Sequence, residues 1–176
     1  HLFAKFESDL QMENFNTSDL YVSIQKTSND TYLKVFDSNL YETNLKPSDQ
    51  NNLLSEIKLT LNHKTNYNLT AGMKSFENLT KISSDRYQYI LPYYNYDRYI
   101  DTENIDGSLK FTSSGSNDLQ NTNNLKTKVI NDLEYQSNEF INNLGFVSNF
   151  KINFKNSNTL GKNDDDYKSS PQIELM

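Results

Sequence analysis

Leu144 to Phe154, LGFVSNFKINF, alternates in polarity. Leu144, Phe146, Phe150, Ile152 and Phe154 share one parity, interrupted only by Ser148, while Asn149, Lys151 and Asn153 share the other, which Lys155 extends. Side chains of a strand point in turn to opposite faces, so this run predicts a ribbon with one apolar and one polar side. A helix would scatter the phenylalanines around its circumference, because its period is 3.6. The run is also about as long as a tilted strand must be to cross the hydrocarbon of a bilayer, about 9–11 residues. Strands of soluble proteins average only about 5–6.

The pattern recurs along the chain. Leu2, Ala4, Phe6, Leu10 and Met12 alternate with Lys5, Glu7, Asp9, Gln11 and Glu13 and predict a long first strand. Asn16 to Asp19 reads as a turn cluster. Leu20, Val22 and Ile24 predict a second strand, Thr27 to Asp30 a turn or bulge, and Tyr32 to Phe36 more strand. Ser38 to Asn52, with Pro47, reads as a long loop. Leu53, Ile57, Leu59 and Leu61 alternate with Glu56, Lys58 and Thr60. After the polar stretch Asn62 to Asn66, Tyr67, Leu69, Ala71 and Met73 alternate with Asn68, Thr70 and Lys74. Two matched runs around a short polar turn predict a hairpin.

In Arg86 to Tyr96, RYQYILPYYNY, Pro92 breaks a strand pattern and belongs at an edge or a bulge. The tyrosines around it suit either a membrane-interface belt or a tyrosine-rich patch on a soluble sheet. Leu109 and Phe111 open another strand, and Ser113 to Asn124 reads as a polar loop. Leu125, Val129, Leu133 and Tyr135 alternate with Lys126, Lys128, Asp132 and Glu134. Asn158 to Ser170 reads as loop again, and Gln172 to Met176 as a last alternating run. The sum is eight or nine strands, no helix, and loops of unequal length: an all-β, antiparallel up-and-down meander.

Composition narrows the function. Mean hydropathy is −0.80, and no stretch approaches the ~18 apolar residues of a transmembrane helix, which leaves a membrane barrel open because its strands are only half apolar. Twelve Tyr and 10 Phe suit strands and bilayer interfaces. A net charge of −6 argues against a nucleic-acid partner. Zero Cys removes thiolate chemistry and disulfides from these residues. His1 and His63 are the only histidines and have no ligand spacing. There is no nucleophile elbow, zincin motif or phosphate-cradling glycine loop, so nothing proposes an enzyme or a cofactor. Asp101 to Gly107 is weakly similar to a calcium loop, but Ile105 falls where an oxygen ligand belongs, so it reads as a turn. Asp164 to Asp166 reads as a solvated loop tip. The chain starts at His1 and ends inside an alternating run, so it reads as one segment, residues 1–176, of a longer protein truncated at both ends.

The motifs Ser28-Asn29-Asp30-Thr31-Tyr32-Leu33-Lys34, Gln88-Tyr89-Ile90-Leu91-Pro92, Gly107-Ser108-Leu109-Lys110-Phe111 and Asn158-Thr159-Leu160-Gly161-Lys162-Asn163 stand in this order around the hairpin. In them the chain resembles the LPS-assembly protein family (LptD, also called organic solvent tolerance protein), in its barrel part. The resemblance implies a partial transmembrane β-barrel in the outer membrane of a Gram-negative bacterium, where it assembles lipopolysaccharide into the outer leaflet. It implies, as partners, lipopolysaccharide, outer-membrane lipid, an LptE-type plug lipoprotein and periplasmic LPS-bridge proteins. The family pairs cysteines that this segment lacks, which leaves disulfide-controlled maturation undecided. Parity assigns Leu144, Phe146, Phe150, Ile152, Phe154, Leu59, Leu61 and Leu69 to a lipid-facing side. It assigns Asn149, Lys151, Asn153, Lys58, Lys74, Lys126 and Lys128 to a lumen-facing side, with Pro92 as a strand break. The alternatives are another outer-membrane barrel, of porin or receptor type, and a soluble β-sandwich that binds carbohydrate through its tyrosines.

Overall fold

The computed structural model describes residues 1–36, 45–101, 106–121, 123–161 and 167–176. Alternation becomes strand almost everywhere. The elements are β1 (Leu2–Asp9), β2 (Phe15–Lys26), a short helix α1 (Tyr32–Phe36), β3 (Asn52–His63), β4 (Tyr67–Asn78), β5 (Tyr87–Ile100), β6 (Gly107–Gln120), β7 (Asn124–Ser137), β8 (Phe140–Ile141), β9 (Val147–Ser148), β10 (Lys151–Gly161) and β11 (Lys168–Leu175). Nine of the strands form one sheet in the order β1-β2-β3-β4-β5-β6-β7-β10-β11, every pair antiparallel, and β8 and β9 pair only with each other. The hairpin expected around Asn62 to Asn66 is β3–β4, with Leu61 opposite Leu69 and Ile57 opposite Met73. The sheet is open, with β1 and β11 at its edges.

Several segments differ from their sequence reading. Asn16 to Asp19 lie inside β2, and the chain reverses instead around Gln11, whose φ is 51°. Ser18 is held there by donating to Asp9 Oδ1 at 3.1 Å and accepting from the Met12 amide. Tyr32 to Phe36 is helical: Asn29 Oδ1 accepts from the Thr31 amide, Val35 N bonds Thr31 O, and Leu33 is buried. Ser113 to Gln120 is the second half of β6, because β5 and β7 supply a ladder on both sides and so override a weak strand propensity. β10 likewise runs on through Asn158 to Gly161. The run from Leu144 to Phe154 is not one strand: Leu144 and Phe146 flank Gly145 in the β8–β9 hairpin, and β10 begins at Lys151. Loop lengths do not separate cleanly by end. The short 121–123 connection shares an end with the long 27–51 connection, and 138–150 shares one with the short 64–66 turn. Ile105 of the calcium-like turn and the triplet Asp164 to Asp166 lie outside the described residues.

Among the described residues, the buried apolar side chains are Leu33, Leu53 and Leu79, with Phe3 and Tyr32 packed against them. This small cluster sits where α1 meets the ends of β3 and β4. No helix is long and apolar enough to cross a membrane, which says nothing about strands.

Candidate functional site

Directly opposed residues of a ladder share a face, so the register sorts the whole sheet. One face carries Phe6, Val22, Ile57 and Met73 in its first four strands, and Phe111, Leu133, Phe154 and Ile173 in its last four. The other carries Glu7, Tyr21, Lys58, Gly72 and Tyr93, then Lys110, Glu134, Asn153 and Glu174. Among the described residues no second layer covers the apolar face, and Ile57 and Met73 are 51% and 50% exposed. Their polar neighbours are more sheltered: the side chains of Glu56 and Lys74 are 13% and 32% exposed. This inverts the order of a soluble sheet, where the apolar side is the buried one.

The sheltering has a geometric cause. Three clefts, of about 350, 270 and 420 Å³, indent the polar face. The first gathers Lys110, Asp132, Glu134, Asn153, Lys155 and Glu174 from β6, β7, β10 and β11. The second holds Lys74, Tyr93, Ser114, Ser116 and Lys128, and the third Glu7, Asp9, Asp19 and Lys58. Polar side chains from neighbouring strands line all three. Lys5 and Lys58 both lie over the Tyr21 ring, at 5.4 and 5.1 Å, and Lys151 pairs with Glu134 at 2.9 Å.

Pro92 sits in a bulge. Leu91 and Pro92 together oppose Met73 of β4 on one side and Asn117 of β6 on the other. The extra residue re-phases the strand, so Tyr87 and Tyr89 share the apolar face with Tyr94 and Tyr96 despite opposite sequence parity. Tyr93 and Tyr94 then cross the two faces in opposite directions. Tyr93 lies over Gly72 and donates to Glu56 Oε1 at 2.7 Å; Tyr94 lies over Gly115 and bonds Ser113 Oγ at 3.1 Å, which itself donates to Asn131. A β-carbon at residue 72 would overlap the Ile57 carbonyl and come within 2.8 Å of Tyr93 Oη. Gly72→Ala is therefore expected to cost about 1–3 kcal/mol in chemical unfolding. Gly115→Ala is expected to cost less, because it meets a side chain and not backbone. Equal stability of Gly72→Ala and the parent would contradict this packing.

An aromatic row, which alternation did not reveal, crosses the apolar face at the end holding the 64–66 turn. Phe15 and His63 lie 5.4 Å apart, His63 and Tyr67 5.0 Å, Tyr67 and Tyr96 5.7 Å, Tyr96 and Phe111 6.3 Å. Farther along this end, Tyr135, Phe150 and Phe140 continue in ring contact. The signal in the sequence was aromatic residues placed at strand ends beside turns, whereas His63 had read only as a turn residue.

Toward the opposite end, Glu77 is nearly buried and gathers Lys26 at 2.8 Å, both Nε and Nη2 of Arg86, and Tyr87 Oη. Arg86 also pairs with Asp30 at 2.7 Å, and these two carboxylates hold its guanidinium more basic than a free one. In the 27–51 connection, the Asn52 amide group and the backbone N–H groups of Asn51 and Asn52 hold the Asp49 carboxyl below its ordinary range.

The structure places Leu59, Leu61, Leu69, Ile152 and Phe154 on the apolar face, and Lys58, Lys74, Lys126, Lys128, Lys151 and Asn153 on the polar one. Leu144 and Phe146 stand exposed in the β8–β9 hairpin, off the main sheet. Phe150 lies just ahead of β10, its amide bonded to Ser137 Oγ, and Asn149 lies in the same connection. Among the described residues no three His, Cys, Asp or Glu side chains assemble as a metal site. Compared with models of known families, with curated proteins and with solved structures, the chain gives no match.

Proposed function

We propose that this chain is part of the wall of an outer-membrane β-barrel, a partial barrel with its apolar face toward lipid and its polar face toward the lumen. One observation carries the reading: the apolar face is bare among the described residues, while in mid-sheet the charged Glu56 and Lys74 are more sheltered than the apolar Ile57 and Met73 beside them. A soluble sandwich would cover the first and expose the second. A membrane barrel needs the reverse, with every backbone group paired between strands and lipid against the outer side chains. The aromatic row at one strand end suits the headgroup level, where a ring is half in hydrocarbon and half in water. Tryptophan at Ile57 should then be strongly quenched by lipids brominated on their acyl chains, and tryptophan at Lys58 weakly. Equal quenching at the two positions would sink the assignment of faces.

The cargo we propose is lipopolysaccharide. The motifs around Tyr32, Pro92, Phe111 and Gly161 support this, and so does the chemistry of the polar face. A glycolipid with a phosphorylated sugar head needs a polar passage with cations, while its acyl chains need contact with hydrocarbon. Lys74 and Lys128 would offer those cations, with hydroxyls of Ser114, Ser116 and Tyr93 nearby, and Lys58 would add one from the third cleft. Transport breaks no bond and needs no catalytic residue. A photo-crosslinking residue at Lys74 or Lys128, in cells carrying the full-length protein, should capture lipopolysaccharide. Capture at neither position, with normal assembly of the protein, would favour a porin or receptor barrel.

A further inference from the structure

Within the connection from β7 to β10, residues 140–150, FINNLGFVSNF, contain no Lys, Arg, His, Asp or Glu. Phe140, Ile141, Leu144, Phe146, Val147 and Phe150 make up more than half of them. A connection surrounded by water is normally polar. These side chains also stand farther out than the outer apolar band of the sheet. Ile141, Leu144 and Phe146 are 69%, 82% and 69% exposed, against 51% for Ile57 in that band. Exposure falls on both sides of the hairpin. Ile141 opposes Val147 and Phe140 opposes Ser148, so Ile141 and Val147 mark one side and Phe140 the other, and all three are exposed. A groove on a partner protein, or a second copy of this chain, would cover one side of such a ribbon and leave the other in water. A fluid apolar medium wets both.

The tip is built to leave water. Asn142 Oδ1 accepts from the amides of Leu144 and Phe146, at 2.9 and 3.0 Å, and the Asn142 carbonyl accepts from the Gly145 amide at 2.9 Å. The Asn142 amide in turn donates to the Phe146 carbonyl at 3.0 Å. Three consecutive backbone donors are therefore satisfied inside the tip, and moving it out of water strands none of them. The stem is different. β8 and β9 pair only with each other, so their outer edges keep backbone groups that need water or headgroups, and the ribbon cannot pass into hydrocarbon. The base of the hairpin joins the apolar face of the sheet. Phe140 stacks on Phe150 with centroids 6.2 Å apart and planes 2° apart, and Phe150 lies 5.7 Å from Tyr135, an outward residue of β7. The medium that covers the outer face at this end reaches the hairpin along an unbroken run of rings.

We infer that the β8–β9 hairpin is a lipid-binding element, which enters the headgroup layer of a bilayer tip first and carries Leu144 and Phe146 to the start of the acyl chains. Apolar side chains at such a boundary sink roughly 5–10 Å. Leu144 and Phe146 then meet lipid at a hairpin tip and not as part of a wall strand. The inference rests on the barrel-wall reading, which sets a bilayer against the outer face. That reading by itself puts lipid against strands and asks nothing of a connection.

The chain has no tryptophan, so single substitutions report without background. Leu144→Trp, Ile57→Trp and Lys58→Trp are each folded into phosphatidylcholine vesicles whose acyl chains carry bromine either close to the headgroup or near the methyl end. Folding is verified by resistance to protease. Leu144→Trp is expected to be quenched roughly twofold or more above Lys58→Trp, and more by the shallow bromines than by the deep ones. Strong quenching at residue 57, with quenching at residue 144 no greater than at residue 58, would overturn the hairpin's insertion and leave the wall standing. Equal quenching at 57 and 58, with shallow quenching at 144, would remove the wall and keep the hairpin's contact with lipid. Weak quenching at all three sites of protease-resistant protein would overturn both. If emission at 144 is unquenched and moves to the blue only as more chains are packed into each vesicle, a second copy covers the tip and the inference is overturned.

Discussion

Leu59→Arg is expected to lower the free energy of folding into a bilayer by about 2–4 kcal/mol, the cost of an arginine on the lipid side at mid-depth. Leu59 sits at the centre of the outer band in β3, between Ile57 and Leu61, opposite Leu20 and Ala71. On the barrel-wall reading an arginine there brings its charge into hydrocarbon or bends toward a headgroup, and the nearest outward carboxylate of a neighbouring strand is Glu77, six residues along β4 from Ala71. Thr60→Arg, one residue on and facing the polar side, should cost under about 1 kcal/mol. His63→Arg is the decisive third variant. It shares the face of Leu59 but lies in the aromatic row, where a lipid-facing cation costs only about 0–1 kcal/mol. Urea titrations of folding into vesicles measure all three. A fall-off from residue 59 to residue 63 is the mark of a depth-dependent solvent. If Leu59→Arg and Thr60→Arg cost the same, the outer face is not a lipid face.

Much of this architecture was legible because a strand's period of two is unmistakable when one face is uniformly apolar. Leu59, Leu61 and Leu69 fell on one side, and Lys58 and Lys74 on the other, as parity alone required. Legibility failed where the ladder and not the local sequence decides. Ser113 to Gln120 contains serine, glycine, asparagine and aspartate, the residues of loops, yet β5 and β7 hold it extended. Parity also failed across Pro92, since one extra residue moves every later side chain to the other face. From the sequence, Tyr89 and Tyr94 belong to opposite sides; in the fold they share one. Leu144 and Phe146 fit the alternation of Phe150 to Phe154, but Gly145 at φ 81° turns the chain between them. What alternation could not supply at all was contact between strands distant in sequence: the glycine seats under Tyr93 and Tyr94, the aromatic row, and the Glu77 cluster.

That cluster carries the second large expected effect. Glu77→Ala should destabilise the folded protein by about 3 kcal/mol, the low end for a buried pair stripped of one partner. The low end applies because Lys26 is half exposed, with 53% of its side chain in solvent, and regains water when its partner is lost. Arg86 is the stricter case. Its Nε and Nη2 both reach Glu77 Oε1, at 2.8 and 2.6 Å, and afterwards Asp30 and the Tyr87 ring would be left to hold it. Glu77→Gln keeps the shape and an acceptor, so about half the loss is expected. Asp30→Asn, at a side chain that is itself half exposed, should cost under about 1 kcal/mol. Glu77 lies past Met73 and Ser75 on the outer face of β4, beyond the apolar band, so on the barrel-wall reading its charge stands outside the hydrocarbon. Its substitution should therefore cost the same in bilayers of short and long acyl chains, while the cost of Leu59→Arg should grow with bilayer thickness. Should Glu77→Ala instead track the acyl chain length, the end of β4 would lie within the hydrocarbon, and the depth assigned to Leu59 would have to shift along the strand.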